Sequence, residues 1–189
     1  MQSSFSAADQ AILLSLAYDS VCAAAQNAPL PSIDIDSLPE RLRERKASFV
    51  TITSKGELRG CIGTIEKLYP LAQDVVIRAA SAATKDPRFT PIQVDELSSI
   101  SIEVSVLSTP RPLEYQDPPS LPALLKPGVD GVILRHGSRR ATFLPQVWER
   151  VPDADQFLAL LCQKALLPED AWKSGDLLFE TYQVESFHR

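Results

Sequence analysis

Ser48-Phe49-Val50-Thr51-Ile52-Thr53-Ser54-Lys55-Gly56-Glu57-Leu58-Arg59-Gly60-Cys61-Ile62-Gly63-Thr64-Ile65 is the stretch whose reading decides the fold. Hydroxyl, β-branched and aromatic residues fill Ser48 to Thr53, a composition suited to a pleated, half-buried strand. Lys55-Gly56 supplies a two-residue turn, and Glu57 to Ile65 reads as the returning strand running out into a loop. The segment is therefore expected to be an antiparallel hairpin.

Helical periodicity lies on either side. Toward the N-terminus, Ser6 can cap a helix, with Asp9 closing an acidic version of the capping box and Ile12, Leu13, Leu16, Ala17, Val21 and Ala24 forming an apolar stripe. Residues Asn27 to Pro39, rich in proline, Asp and Ser, read as a surface loop. Past the hairpin, Pro70 suits the first turn of a helix whose Leu71, Ala72, Val75, Val76, Ala79, Ala80 and Ala83 form a stripe of small residues, ready for close packing on a sheet. Asp86-Pro87-Arg88-Phe89 ends that helix.

Alternation returns from Ile100 to Leu107, with Ile102, Val104 and Val106 on one face and Ser101, Glu103 and Ser105 on the other. Pro110 to Pro127 is expected to be irregular, with one helical turn around Leu121 to Leu125. Gly131 to His136 and Arg140 to Leu144 form a second hairpin about Gly137-Ser138. A helix carrying Phe157, Leu158, Leu161, Cys162 and Ala165 precedes a last strand over Leu177 to Phe187. Helices mixed with hairpins, without regular βαβ alternation, predict an α+β fold: a largely antiparallel sheet packed with helices, within one domain spanning residues 1–189.

The chain's 189 residues, 44% hydrophobic and 23% charged, suffice for a core that needs no staples. Three cysteines, Cys22, Cys61 and Cys162, make neither a disulfide framework nor a CxxC pair, so a reducing, cytoplasmic setting is expected. The N-terminal residues lack the pattern of a signal peptide, and no apolar run approaches the roughly 18 residues of a membrane span. A net charge of -5 argues against nucleic acid as a partner. The basic clusters Arg41, Arg43, Arg45, Lys46 and Arg135, Arg139, Arg140 read as solvated surface.

Chemistry concentrates in Leu58-Arg59-Gly60-Cys61-Ile62-Gly63. In an extended strand Arg59 and Cys61 project from one face, where a guanidinium favours the thiolate, the reactive form of cysteine. Cys61 is thus the candidate nucleophile and Arg59 the candidate thiolate or anion stabiliser, with Gly60 and Gly63 leaving the backbone open to a ligand. The alternative is that the glycines mark a bulge or tight helix packing and that Cys61 is a small buried hydrophobe. Asp86, Arg88 and Glu103 are further ligand-binding candidates, set against helix termination for Asp86-Pro87 and a local ion pair for Arg88. The histidines, His136 at a hairpin tip and His188 next to the C-terminus, are poorly placed to serve as a base. No metal-ligand spacing or phosphate loop is present, so neither metal nor cofactor is expected.

Phe49-Val50-Thr51, Leu58 to Gly63, Asp86-Pro87-Arg88-Phe89, Val104-Ser105-Val106-Leu107 and Leu144-Pro145-Gln146-Val147, in this order, resemble the AMMECR domain family, whose prokaryotic members are called AmmeMemoRadiSam system protein A. The resemblance runs from the first helix to the last strand. It implies an α+β fold with a larger and a smaller lobe and a cleft between them, a functional centre at Leu58 to Gly63, and an association with a Memo-like protein and a radical-SAM protein. It supplies no reaction. Many members carry a histidine where this chain has Asp130, within Gly128-Val129-Asp130-Gly131, so no role for that histidine transfers. Two functions are expected to compete: a domain that binds a small or peptide-like ligand around Arg59 and Cys61 and uses the thiol, or a non-catalytic adaptor that docks its partners through the same surface.

Overall fold

A computed structural model describes residues 4–188. Helix α1 spans Ala7–Ala25, and its start is closed on both sides: Ser6 Oγ accepts from the Asp9 N–H at 3.1 Å, and Asp9 accepts from the Ser6 N–H at 3.0 Å. Asp9, Leu13, Ala17, Ser20 and Val21 form its buried face. A short helix α2, Glu40–Arg43, buries Leu42.

The hairpin follows as expected, with β1 at Ser48–Ser54 and β2 at Glu57–Gly63. Lys55 and Gly56 both have positive φ, 52° and 83°, the combination that a tight twisted hairpin turn requires. Helix α3, Leu71–Thr84, begins one residue later than expected, with Pro70 at its cap. Its buried side is rich in alanine, and α3 packs on α1, β1 and β2. Strand β3, Ile100–Leu107, pairs antiparallel with β1, burying Ile102, Val104 and Val106.

Ser108–Val184 form a second compact unit. The stretch expected to be irregular contains a two-residue strand β4, Arg111–Pro112, and a short helix α4, Leu121–Leu124. The hairpin of β5, Gly131–His136, and β6, Arg139–Phe143, turns at Gly137, and α5 spans Ala154–Lys164. The predicted stripe of α5 is buried, with Trp148 stacked on Phe157 at a centroid distance of 3.8 Å.

The last predicted strand is two. β7, Leu178–Tyr182, pairs with β4 and β5, giving a second sheet in the order β4-β7-β5-β6. β8, Val184–His188, lies beside β3 and completes the first sheet, β2-β1-β3-β8. The break falls at Gln183, whose N–H donates to Ser108 Oγ and whose carbonyl accepts from the Ser108 N–H, both at 2.9 Å. Which strand each half pairs with is decided by residues far along the chain, so the local sequence did not reveal that the halves join different sheets. The chain is thus α+β, with two four-stranded antiparallel sheets and helices.

Candidate functional site

β2 is an edge strand, and its free edge is closed by side chains. Gly60 pairs with Ile52 and Leu58 with Thr53, so Arg59 is the extra residue of a bulge. Simple alternation therefore does not assign Arg59 to the face of Cys61, as the sequence had suggested. The register instead gives Leu58 that face, because Leu58 pairs with Thr53 and Cys61 with Thr51. The guanidinium of Arg59 grips Glu96 bidentately, at 2.8 and 2.9 Å, and donates to the Thr90 carbonyl at 2.7 Å. That contact raises the Arg59 pKa and, with help from the Gln93 N–H, lowers that of Glu96.

The guanidinium recorded against Cys61 is that of Arg88. The Cys61 N–H, which points away from β1, donates to Asp86 Oδ2 at 2.8 Å, and Arg88 Nη2 approaches the Cys61 carbonyl at 3.4 Å. Arg88 also binds Asp86 through Nε at 2.9 Å and Nη2 at 2.6 Å. This pairing, reinforced by the N–H groups of Cys61 and Arg88, holds the buried Asp86 carboxyl far below the usual carboxylate range, despite the opposing effect of burial. Asp86-Pro87-Arg88 thus ends α3 and also clamps the strand edge at Cys61, a form of edge protection.

On the side where a side chain would stand, both glycines are filled. A Cβ at Gly60 would stand 2.3 Å from the Ala82 carbonyl oxygen of α3, and one at Gly63 would stand 2.1 Å from the Phe49 ring. The protein's own atoms occupy both of these spaces, so the glycines serve close packing there, while Gly60 is buried and Gly63 is partly exposed.

Cys61 itself lies on the sheet face opposite the core. Its row runs across three strands as Cys61, Thr51 and Glu103, while the neighbouring Val50 and Ile52 face the buried side. Thr51 Oγ1 donates to Cys61 Sγ at 3.2 Å. In the next row, Ser105 donates to Glu103 at 3.1 Å and lies 2.8 Å from the Ser186 hydroxyl. Cys61, Thr51 and Glu103 are all partly exposed. Sequence reasoning singled out Cys61 and Glu103 separately, but missed Thr51 and Glu96. The signal for Thr51 was its outward place between Val50 and Ile52.

His136 and His188 are exposed, the first in the second unit. Among the described residues, no three His, Cys, Asp or Glu side chains gather as a metal site, and no helix is long and apolar enough to cross a membrane.

An α+β chain with a clamped glycine-cysteine edge strand has a solved counterpart. It matches the crystal structure of an uncharacterized protein, PH0010 from Pyrococcus horikoshii, with a TM-score of 0.83 and 32% identity over 94% of this chain and 89% of that one. A protein of Methanothermobacter thermautotrophicus is 45% identical over 154 residues, 81% of this chain and 80% of the relative. Another, from Thermofilum pendens, is 39% identical and covers 96% of this chain and 90% of its own length. The AMMECR1 family profile matches residues 14–187, and the chain belongs to that family.

Proposed function

We propose that this protein is a ligand-binding domain whose recognition surface is the polar face of the first sheet around Cys61, with the thiol as one of the contacting groups. One observation carries the reading: Cys61, Thr51 and Glu103 stand in a single partly exposed row across three strands, the outermost of which, β2, has its edge held by Asp86 and Arg88. Such a row offers a small polar or peptide-like ligand a sulfur, a hydroxyl and a carboxylate on a rigid β platform, and rigid elements hold a site more accurately than loops. In this reading Arg59 supports the platform through Glu96. In this reading the domain acts together with Memo-like and radical-SAM proteins, partners that the family resemblance supports.

The test compares metabolites retained by wild-type and Cys61→Ser protein after equilibration with size-filtered cell extract, read by mass spectrometry. The expected result is a compound held by the wild type and lost from a Cys61→Ser variant with an unchanged unfolding midpoint. Identical retention profiles overturn the reading.

A further inference from the structure

The second unit contains a cavity of about 460 Å³, the size of a small-metabolite site. Its wall includes Arg111, Lys126, Asp130, Thr181, Ser108 and Leu124. Among the described residues, the Arg111 guanidinium and the Lys126 ammonium have no hydrogen-bond or ion-pair partner. In a chain with 24 acidic residues to 19 basic ones, two uncompensated cations in one concavity stand out.

Both are held by ordered backbone. Arg111 sits opposite Thr181 in the β4–β7 ladder, so the two side chains leave the same face. Lys126 starts a tight turn through Pro127 and Gly128, whose φ is 75°; the Val129 N–H closes it on the Lys126 carbonyl at 3.1 Å. Asp130 is buried and accepts from the Lys126 N–H at 2.9 Å, while its own carbonyl accepts from Trp148 Nε1 at 2.7 Å. Its carboxylate thus secures the turn and makes no ion pair with either cation.

We infer that this cavity binds a small organic anion, a phosphate or a carboxylate, between Arg111 and Lys126, with the Thr181 hydroxyl as an additional donor. Guanidinium and ammonium groups are the side chains suited to such oxyanions, and an ordered backbone brings the two to one cavity wall. A hydroxyl on the ligand would find an acceptor in Asp130. The inference is independent of the Cys61 face, which lies on other residues.

The experiment is titration calorimetry of the full chain with glycerol phosphate and, separately, malate, against sodium chloride of equal ionic strength. Saturable binding of at least one is expected, weakened about tenfold or more by Arg111→Gln and by Lys126→Gln, retained by Lys126→Arg, and unchanged by Arg135→Gln, whose side chain pairs with Glu180. Binding of glycerol phosphate alone assigns a phosphate ligand, and binding of malate alone a carboxylate. The inference is overturned if neither saturates, or if the Arg111→Gln and Lys126→Gln proteins, with wild-type unfolding midpoints, bind as the wild type does.

Discussion

The edge of the first sheet and the cavity of the second unit both carry two cations, on opposite terms. At the edge, Arg59 and Arg88 each grip a carboxylate, and Gly60 and Gly63 are pressed against an α3 carbonyl and a phenyl ring. In the cavity, the Arg111 and Lys126 side chains grip nothing among the described residues. Density of motif residues and availability of charge are therefore separate properties. The hexapeptide's arginine and glycines build the strand that presents Cys61. The two cavity cations sit where the sequence has no motif of comparable density.

The largest effect is expected from adding one carbon at each glycine. Gly60→Ala drives its Cβ against a main-chain oxygen that cannot move without shifting α3, and about 3 kcal/mol of destabilisation in urea unfolding is expected. Gly63→Ala meets the side chain of Phe49, which can rotate, so about 1 to 2 kcal/mol is expected, partly recovered by Phe49→Leu. Equal small losses at both positions would mean that the edge is looser than its packing implies.

Next in size is the clamp. Asp86→Asn removes a charged acceptor from the Cys61 N–H and the Arg88 guanidinium, and should cost about 2 kcal/mol. The folded-state pKa values of Asp86 and Glu96 lie below their unfolded values of about 3.9 and 4.3. Their stabilisation is therefore complete above those unfolded values and is lost as pH falls through the folded ones. Wild-type stability should drop below about pH 4, and Asp86→Asn should flatten that drop, measured by urea midpoints across an acid series.

Much of this was legible in the residues and some was not, for physical reasons. The capping box of Ser6 and Asp9, the Lys55-Gly56 turn and the alternation of β3 are set by neighbours a few positions apart, and all appear as read. The bulge at Arg59 depends on which residues of β1 stand opposite, so two-residue spacing misassigned its partner. β4 exists only because Arg111-Pro112 meets Thr181 and Glu180 far along the chain. The close packing at the two glycines was hidden because their neighbours, Ala82 and Phe49, come from a helix and from another strand. The cavity draws its wall from the two ends of the second unit, and no local window contains it.

A smaller effect should separate the two arginines of the edge. Arg59→Lys keeps the charge but loses the two-pronged grip on Glu96, so a loss of about 1 kcal/mol is expected. A double-mutant cycle with Glu96→Gln should return a coupling of similar size, measured from urea midpoints. A coupling near zero would detach Arg59 from the edge and reopen its side chain to ligand chemistry.

The smallest change is expected where the cations are free. Arg111→Gln breaks no ion pair or hydrogen bond among the described residues, so the urea midpoint should move by no more than about 0.5 kcal/mol in either direction. A gain within that range would fit relief of repulsion between Arg111 and Lys126, and should shrink as added salt screens the charges. A loss of 2 kcal/mol or so would place Arg111 among the structural cations, like Arg59 and Arg88, and would remove the difference on which the cavity's role rests. Stability unmoved while anion binding falls is the combination expected of a side chain held in reserve for a ligand.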